Sequence, residues 1–293
     1  MKLLSIRSGI GILALGLGIA VALAPSSFAQ GYGGGGAQQG TQQQPAANKP
    51  PAPAAQPAAA DAPKVDPAEE AAYKTFYDTN PQDTDKVIQL GEQFLKTYPD
   101  SKRYPPAVYS RLTQAYFDKQ AYDKMYAAGD RALALNPDDV MVLTMIGWVI
   151  PHNYNPNDLE SDRRLNNAEA YEKHALQVLA TLEKPANLTD EQFAKVKAEA
   201  QGRAHSGLGL VYFRRNQYAE SVAELQLARQ LDPQPDAVDY FVMGIELEKL
   251  KKYADSADAY QKCAQIPSGL ADRCKQSADQ AKKLAASQPA PPK

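Results

Sequence analysis

Apolar and small residues recur in steps of three and four along the middle of the chain, with polar positions between them. Tyr109, Leu112 and Tyr116 belong to one such series, and Met125 and Ala132 belong to the next. These steps place side chains on one face of an α-helix. Because only a short polar break separates the two series, the pattern predicts two amphipathic helices that pack as a hairpin.

The first half of this pattern returns three more times downstream. The later copies begin with Leu143, Ile146, Gly147 and Ile150, with His205, Leu208, Gly209 and Tyr212, and with Tyr240, Met243, Gly244 and Leu247. The step is 34 residues from Tyr109 to Leu143 and 35 from His205 to Tyr240, but 62 from Leu143 to His205. Such a repeat predicts stacked helix hairpins with one continuous core and one long surface, and the second copy contains an insertion.

Small residues at fixed slots let the two helices of each hairpin approach closely. These residues are Gly147, Gly209, Gly244, Ala132 and Ala228. With its aromatic, Leu-Gly, Tyr, Ala and Pro slots, the chain resembles the tetratricopeptide repeat (TPR) family over about 104–268, and it departs from that pattern at Thr113 and Gly129. The resemblance implies an all-α fold, a right-handed α-solenoid of about four to five stacked helix hairpins. Together with the N-terminal segment described below, it suggests an exported bacterial TPR protein.

A weaker copy precedes these four, and a capping helix follows them. Tyr73 and Phe76 fall on one helical stretch and Phe94 on the next, while the segment from Leu270 to Leu284 is apolar on one side only, as the end of a solenoid requires. The predicted solenoid spans 67–286, with repeats near 67–101, 104–138, 140–182, 202–235 and 237–268 and a capping helix over 270–286.

The N-terminal segment has the features of an export signal. Lys2 and Arg7 precede an apolar run that ends in a small-residue cleavage motif. We therefore predict a cleaved signal peptide over 1–29, no membrane span after cleavage, and a location in the periplasm or cell envelope or outside the cell. An uncleaved anchor is the alternative. The compositions of 30–66, rich in Gly, Gln, Ala and Pro, and of 287–293 predict a disordered tether and a disordered tail.

Two cysteines in an exported chain favour a disulfide. Cys263 and Cys274 lie on either side of a turn at Pro267 to Gly269, which would bring both thiols to a similar depth between two helices. Two buried thiols are the alternative. Without Lys2 and Arg7 the chain carries 30 basic and 34 acidic side chains, a net charge of −4, and it lacks the basic, aromatic-rich stripe typical of nucleic-acid binding.

The insertion begins with helix-breaking residues from Pro151 to Asp158, which predict a loop over 151–166. Asp158, Glu160 and the next acidic residues have the spacing of a calcium loop. Arg163, however, occupies the slot that needs glycine, so we predict no metal and no cofactor.

A long helix is predicted after this insertion. Thr189 and Gln192 form a capping-box pattern, and the helix is expected to run from Asp190 to about Phe213. No serine or cysteine carries a nucleophile motif beside His152, so an enzyme is not predicted. A metal-dependent accessory protein or enzyme that uses the 151–166 loop is the least favoured alternative.

In TPR proteins the first helix of each pair lines a concave groove, so the resemblance implies which residues face a partner. The predicted groove residues are Trp148, Arg203, Leu210, Phe213, Arg214, Phe241 and Ile245. Aromatic rings beside arginines suit an extended peptide or a helix of another cell-envelope protein. The expectation is a non-catalytic protein–protein interaction scaffold. The alternatives are a structural subunit that buries the same aromatics against copies of itself, and a groove filled by the chain's own inserted segment.

Overall fold

The computed structural model describes residues 66–288 except 233 and 235, and every described regular element is an α-helix. The predicted signal peptide, nearly all of the predicted tether and most of the predicted tail lie outside the described residues. The helices are α1 (Pro67–Tyr77), α2 (Thr84–Thr97), α3 (Pro105–Asp118), α4 (Tyr122–Leu135), α5 (Val140–His152), α6 (Ser161–Thr181), α7 (Asp190–Arg214), α8 (Tyr218–Leu231), α9 (Ala237–Lys249), α10 (Tyr253–Gln265) and α11 (Ala271–Ser287). Within this part of the chain, none of the helices has the length and apolar character needed to cross a bilayer.

Consecutive helices pack as hairpins, and the hairpins stack into two layers. The first helices of successive pairs, α3, α5, α7 and α9, contact one another side by side. In the described region the second helices α4, α6, α8 and α10 contact the first helices on either side, but no two of them are in close backbone contact. Because the first helices pack together while the second helices splay apart, the array curves with the first helices on its concave side. The predicted all-α, TPR-like solenoid of stacked hairpins is confirmed.

Glycines of the first helix set the spacing within a hairpin. A Cβ atom on Gly209 would lie 2.6 Å from the Leu225 side chain, and one on Gly244 would lie 2.5 Å from the Tyr260 ring, so each glycine provides the space for a large residue of the second helix. A hydrogen bond repeats at the same place. The Ser221 hydroxyl donates to the Gly209 carbonyl at 2.6 Å, and the Ser256 hydroxyl donates to the Gly244 carbonyl at 2.8 Å.

The turn between the two helices of a hairpin has the same left-handed residue in three repeats. Gln120, Asn216 and Lys251 have φ values of 56°, 61° and 59°. Each lies eleven positions after the first aromatic or histidine slot of its repeat, Tyr109, His205 or Tyr240. A residue at positive φ reverses the chain immediately after a helix, and glycine or asparagine adopts it at the lowest cost.

We expect Lys251→Gly to raise the free energy of unfolding by about 0.5–1 kcal/mol, because glycine removes the Cβ strain of a left-handed residue. Urea unfolding monitored by circular dichroism measures this change. Lys252→Gly is the matched control, since Lys252 has φ of −91° and glycine gains nothing there. An equal effect of the two substitutions would contradict this explanation.

The predicted loop over 151–166 is wrong at both ends. Helix α5 continues through Pro151 to His152, and α6 already begins at Ser161, so the connection covers only 153–160. The helix nevertheless continues past Pro151, and the Asn153 amide ends it by donating to the Val149 carbonyl at 3.1 Å. The remaining inserted length lengthens α6 to 21 residues and α7 to 25 residues.

The capping box that begins α7 is present as predicted. The Gln192 amide donates to the Thr189 hydroxyl at 3.2 Å, and the Thr189 amide donates to the Gln192 side chain at 3.0 Å. Helix α7 then runs without a break to Arg214, so its N-terminal half extends past the end of α8. This half has no fully buried side chain before Gly202.

Candidate functional site

Three half-exposed aromatic side chains follow one another on the concave layer. Phe117 on α3, Trp148 on α5 and Phe213 on α7 make up what we call the aromatic stripe. The Phe117 and Trp148 rings meet edge to face with centroids 6.3 Å apart, so the stripe crosses the boundary between two repeats. All three side chains are partly covered by the core and partly open to solvent. The concave face therefore presents apolar surface that water covers at a cost.

His152 packs on the stripe and has an unused hydrogen-bonding atom. Its ring lies 3.7 Å from the Trp148 ring between centroids, and its Nδ1 is 2.7 Å from the Trp148 carbonyl. Because a carbonyl only accepts, Nδ1 carries the proton and Nε2 carries a lone pair. Burial lowers the pKa of His152, against the opposing effect of Asp236. Nε2 is buried and has no hydrogen-bond partner among the described residues.

Arg214 marks the end of the stripe. Its guanidinium lies 5.6 Å from the ring centroids of both Phe213 and Tyr154, and its Nε donates to the Pro151 carbonyl at 2.9 Å. No carboxylate lies within 4.0 Å of Arg214 in the described part of the chain, whereas its neighbour Arg215 pairs with Glu169 at 2.5 Å. A cation held between two rings without a counter-ion suits an anionic group of a partner.

The structure separates the predicted groove residues into two sets. Trp148, Phe213, Arg203, Arg214 and Ile245 keep part of their surface open on the concave layer.

Leu210 and Phe241 do not face a groove, and the prediction is wrong for these two. They are only 2% and 3% exposed. Leu210 packs among residues of α8, α9 and α10, and the ring of Phe241 lies between Tyr260 and the guanidinium of Arg273. Leu210 is thus covered by the next hairpin, and Phe241 by the second helix of its own hairpin and the capping helix.

Three buried carboxyl groups were missed by the sequence prediction. Glu172 and Glu246 are 0% exposed and Asp239 is 3% exposed. Asp239 accepts a hydrogen bond from the Ser206 hydroxyl at 2.8 Å, but neither oxygen of Glu172 or of Glu246 has a hydrogen-bond partner among the described residues. Burial without a partner disfavours the charged form of a carboxyl group.

The pKa values of all three are accordingly raised. Burial is the main cause in each case, and it holds the pKa of Glu172 and of Asp239 well above the ordinary range. The pKa of Glu246 is raised to about 8 by burial, and nearby Asp239 adds to the shift. The positive charge of Arg203 acts in the opposite direction on the pKa of Glu172. Burial therefore favours the protonated form of all three carboxyl groups in the folded chain.

A comparison of equivalent repeat positions could have revealed two of these buried carboxyl groups. Asp239 and Glu246 lie one position before and six positions after Tyr240. The same positions around the other slots hold only Val or Ala, namely Val108 and Ala115, Val142 and Val149, and Ala204 and Val211. Glu172 packs against Gly147, where an added Cβ would lie 2.5 Å from its carboxylate. Glu172 faces Gly147 as Leu225 faces Gly209 and Tyr260 faces Gly244. The insertion lengthens the spacing between Gly147 and Glu172, so the sequence pattern did not show this equivalence.

The predicted disulfide is present between Cys263 on α10 and Cys274 on α11, with Cα atoms 5.8 Å apart. Both cysteines are fully buried and belong to a cluster with Phe241, Tyr260 and Ala278. The bond therefore fixes the capping helix on the last hairpin.

The acidic side chains of the 153–160 connection form ion pairs with nearby arginines and do not converge on a common metal position. Asp158 pairs with Arg164 at 3.3 Å, and Glu160 pairs with Arg163 at 2.5 Å. Elsewhere, His205 pairs with Glu224 at 2.6 Å. Over 66–288, apart from the two undescribed prolines, no three His, Cys, Asp or Glu side chains are grouped so that they could hold a metal ion.

Comparison with known proteins gives structural likeness only. No family model matches the chain, and no curated protein matches it. Among solved structures it is similar to PilW, a type IV pilus biogenesis factor, at 15% identity and a TM-score of 0.47 over 76% of this chain and 94% of PilW. It is also similar to TTC0263, a TPR protein of Thermus thermophilus, at 16% identity and a TM-score of 0.45 over 73% and 99% of the two chains. MamA of Desulfovibrio magneticus RS-1 matches at 16% identity and a TM-score of 0.44 over 72% and 99%. Likeness at this level carries no inference about a partner.

Proposed function

We propose that this protein is a non-catalytic scaffold of the bacterial cell envelope that binds an extended peptide or a helix of a partner protein on its concave face. The aromatic stripe is the observation that carries this proposal. Three partly exposed rings lie on three consecutive first helices, two of them in edge-to-face contact, and exposed apolar surfaces of this kind mark interaction sites.

The groups beside the stripe support a peptide ligand. Arg214 has no carboxylate within 4.0 Å in the described chain, so its guanidinium is a cation for a carboxylate of the ligand. A ligand that is apolar along most of its length, with an acidic group placed near Arg214, would match both the stripe and the cation. Directional polar groups beside an apolar surface give such a site its specificity.

Two features support a location in the periplasm or cell envelope. The predicted signal peptide directs the chain out of the cytoplasm, and the disulfide between Cys263 and Cys274 is typical of an oxidising compartment. We expect the exported chain to act in the periplasm or cell envelope and to hold its solenoid at a distance from its N-terminus by the predicted tether.

We expect Trp148→Ala to lower capture of the partner from a solubilised envelope fraction by roughly tenfold or more, as for a central aromatic residue of an interface. The bait is the exported chain, residues 30–293, with quantitative mass spectrometry as the readout. Leu227→Ala is the matched control, because Leu227 is 41% exposed on the outer helix α8.

Circular dichroism must show both variants folded. Partners retained by Trp148→Ala and lost with Leu227→Ala would place binding on the outer layer and contradict the proposal. Equal capture by both variants and the wild type would exclude the aromatic stripe.

A further inference from the structure

The last hairpin and the capping helix share a core of their own. This buried cluster contains residues of α9, α10 and α11, namely Phe241, Tyr260, Cys263, Cys274 and Ala278, and the disulfide ties α10 to α11 within it. In the described chain, α7 and α8 contribute no residue to this cluster. We call α9–α11, residues 237–287, the C-terminal unit. Its helices contact one another more extensively than they contact α7 and α8, so one face of α9 provides most of its attachment to the array.

The face of α9 that meets α7 and α8 contains two buried carboxyl groups. Residues three, four and seven positions after Asp239 share its side of the helix, and these are Val242, Met243 and Glu246. Val242 and Met243 belong to the same apolar cluster as Leu210 of α7. The two acids therefore lie at either end of the apolar contact that joins the C-terminal unit to the array.

Neither acid has a counter-ion across this contact. Asp239 accepts a hydrogen bond from the Ser206 hydroxyl of α7 at 2.8 Å, and neither oxygen of Glu246 has a hydrogen-bond partner in the described chain. Ser221 of α8 lies near Glu246, but its hydroxyl donates to the Gly209 carbonyl. Because both carboxyl groups are also shielded from water, the contact accommodates them as neutral groups and not as charges.

Most charged groups close to these acids have the same sign. Burial raises the pKa of Asp239, and the charges of Asp236 and Asp232 add to the shift. Arg229 of α8 opposes that shift, but no carboxylate lies within 4.0 Å of its guanidinium in the described chain. Burial raises the pKa of Glu246 to about 8, and Asp239 adds to this shift. The titratable groups that face α9 from α10 and α11 are Tyr260 and Arg273, which both contact the Phe241 ring.

We propose that this contact is a pH-sensitive junction, at which ionisation of Asp239 and Glu246 favours a form with the C-terminal unit detached from α7 and α8. Detachment gives both carboxylates the water that the closed contact denies them. The pKa of Glu246 is about 8 in the closed form and returns toward the ordinary 4.5 when water reaches the group. Between these values, each such group raises the detachment equilibrium constant by about tenfold per pH unit. The junction is thus closed in acid, and detachment at higher pH interrupts the concave layer between α7 and α9.

The accessibility of a buried thiol measures this detachment. Val242→Cys places a thiol, similar in volume to valine, in the contact, where Val242 is 3% exposed. A small methanethiosulfonate reagent labels it only when the contact opens. The labelling rate at each pH is divided by that of the urea-unfolded variant, which removes the pH dependence of the thiol itself. Between pH 6 and pH 8 we expect the corrected rate to rise by about tenfold or more per pH unit.

Two further variants show whether the opening is local and whether the acids cause it. Val108→Cys is the matched control, because Val108 is fully buried at the position of α3 that corresponds to Asp239. Adding Asp239→Asn and Glu246→Gln to Val242→Cys keeps the side-chain shapes, removes both ionisable groups and should reduce the pH dependence to that of the control. A corrected rate at Val242→Cys that does not rise, or rises no more than at Val108→Cys, would overturn the proposal.

A rise that survives the two amide substitutions would overturn it as well, because other groups would then be responsible. The purified chain alone is used, so these results do not depend on the partner proposed above.

Discussion

Replacing Glu172 with leucine is expected to stabilise the protein by about 1–3 kcal/mol at neutral pH, because the exchange removes the desolvation cost of a buried polar group that has no partner. Glu172 is fully buried against Gly147 and Gly207, and both its oxygens lack a partner in the described structure. The equivalent slot of the next repeat holds Leu225 against Gly209, so leucine suits this geometry. For a chain of this size we expect the melting temperature to rise by roughly 2–4 °C per kcal/mol.

The reverse exchange is the matched control. Leu225→Glu places a second unpartnered carboxyl group at the same slot of the next repeat, and we expect it to lower the free energy of unfolding by about 3 kcal/mol or more. Urea unfolding of both variants measures the two effects. A destabilised Glu172→Leu protein would show that the carboxyl group contributes a favourable interaction that the structure does not contain.

The stabilisation by Glu172→Leu should depend on pH. Burial raises the folded-state pKa of Glu172 above the ordinary value of 4.5, so the unfolded chain loses this proton first. Stability then falls as pH rises above about 4.5, by about 1.4 kcal/mol per pH unit for each such group, until the folded group also ionises. For Glu246 that occurs at about pH 8. From pH 5 to pH 7, stability of the wild type should fall more steeply than that of Glu172→Leu, and equal slopes would contradict the assignment.

Loss of the disulfide is the second large effect that we expect. The bond between Cys263 and Cys274 closes a segment with a sequence separation of 11. Restriction of the unfolded chain by a loop of this size is worth about 3 kcal/mol. We therefore expect the Cys263→Ala, Cys274→Ala variant to have a lower free energy of unfolding by about this amount. Since the bond joins α10 to α11, the backbone amides of α11 should show the largest increase in hydrogen exchange.

Hydrogen exchange with mass spectrometry resolves the location of this loss. The effect should appear as faster exchange over 271–287, with little change in α3 and α4. Treatment of the wild type with a reductant should reproduce the shift in melting temperature, and the same reductant should leave the double variant unchanged. A wild type that reductant does not destabilise would contradict a stabilising role for the bond.

Most of the fold could be predicted from the sequence because equivalent residues recur in each repeat and make the same contacts. The slots around Gly209 and Gly244 predicted close hairpins, and the structure confirms them with the same serine hydrogen bond in both. The capping box at Thr189 could also be predicted, because both of its hydrogen bonds join residues only three positions apart in the sequence.

The less predictable features depend on contacts between repeats. Leu210 and Phe241 appear at groove positions, but Leu210 is covered by the next hairpin and Phe241 by Tyr260 and Arg273. Such contacts depend on the superhelical twist, which is not encoded in any single repeat. Pro151 suggested the end of a helix, yet a buried last turn tolerates it. Glu172 could not be placed, because it follows Gly147 by 25 residues, whereas Leu225 and Tyr260 follow Gly209 and Gly244 by 16 residues each.

Site-specific photo-crosslinking in living cells tests the proposed binding face most directly. A photoreactive phenylalanine analogue at Gln114, which lies on α3 one turn before Phe117, should yield a covalent adduct with a partner protein. The same group at Leu135, 52% exposed at the end of the outer helix α4, should yield none. An adduct from Leu135 and not from Gln114 would contradict a scaffold that binds its partner on the concave face.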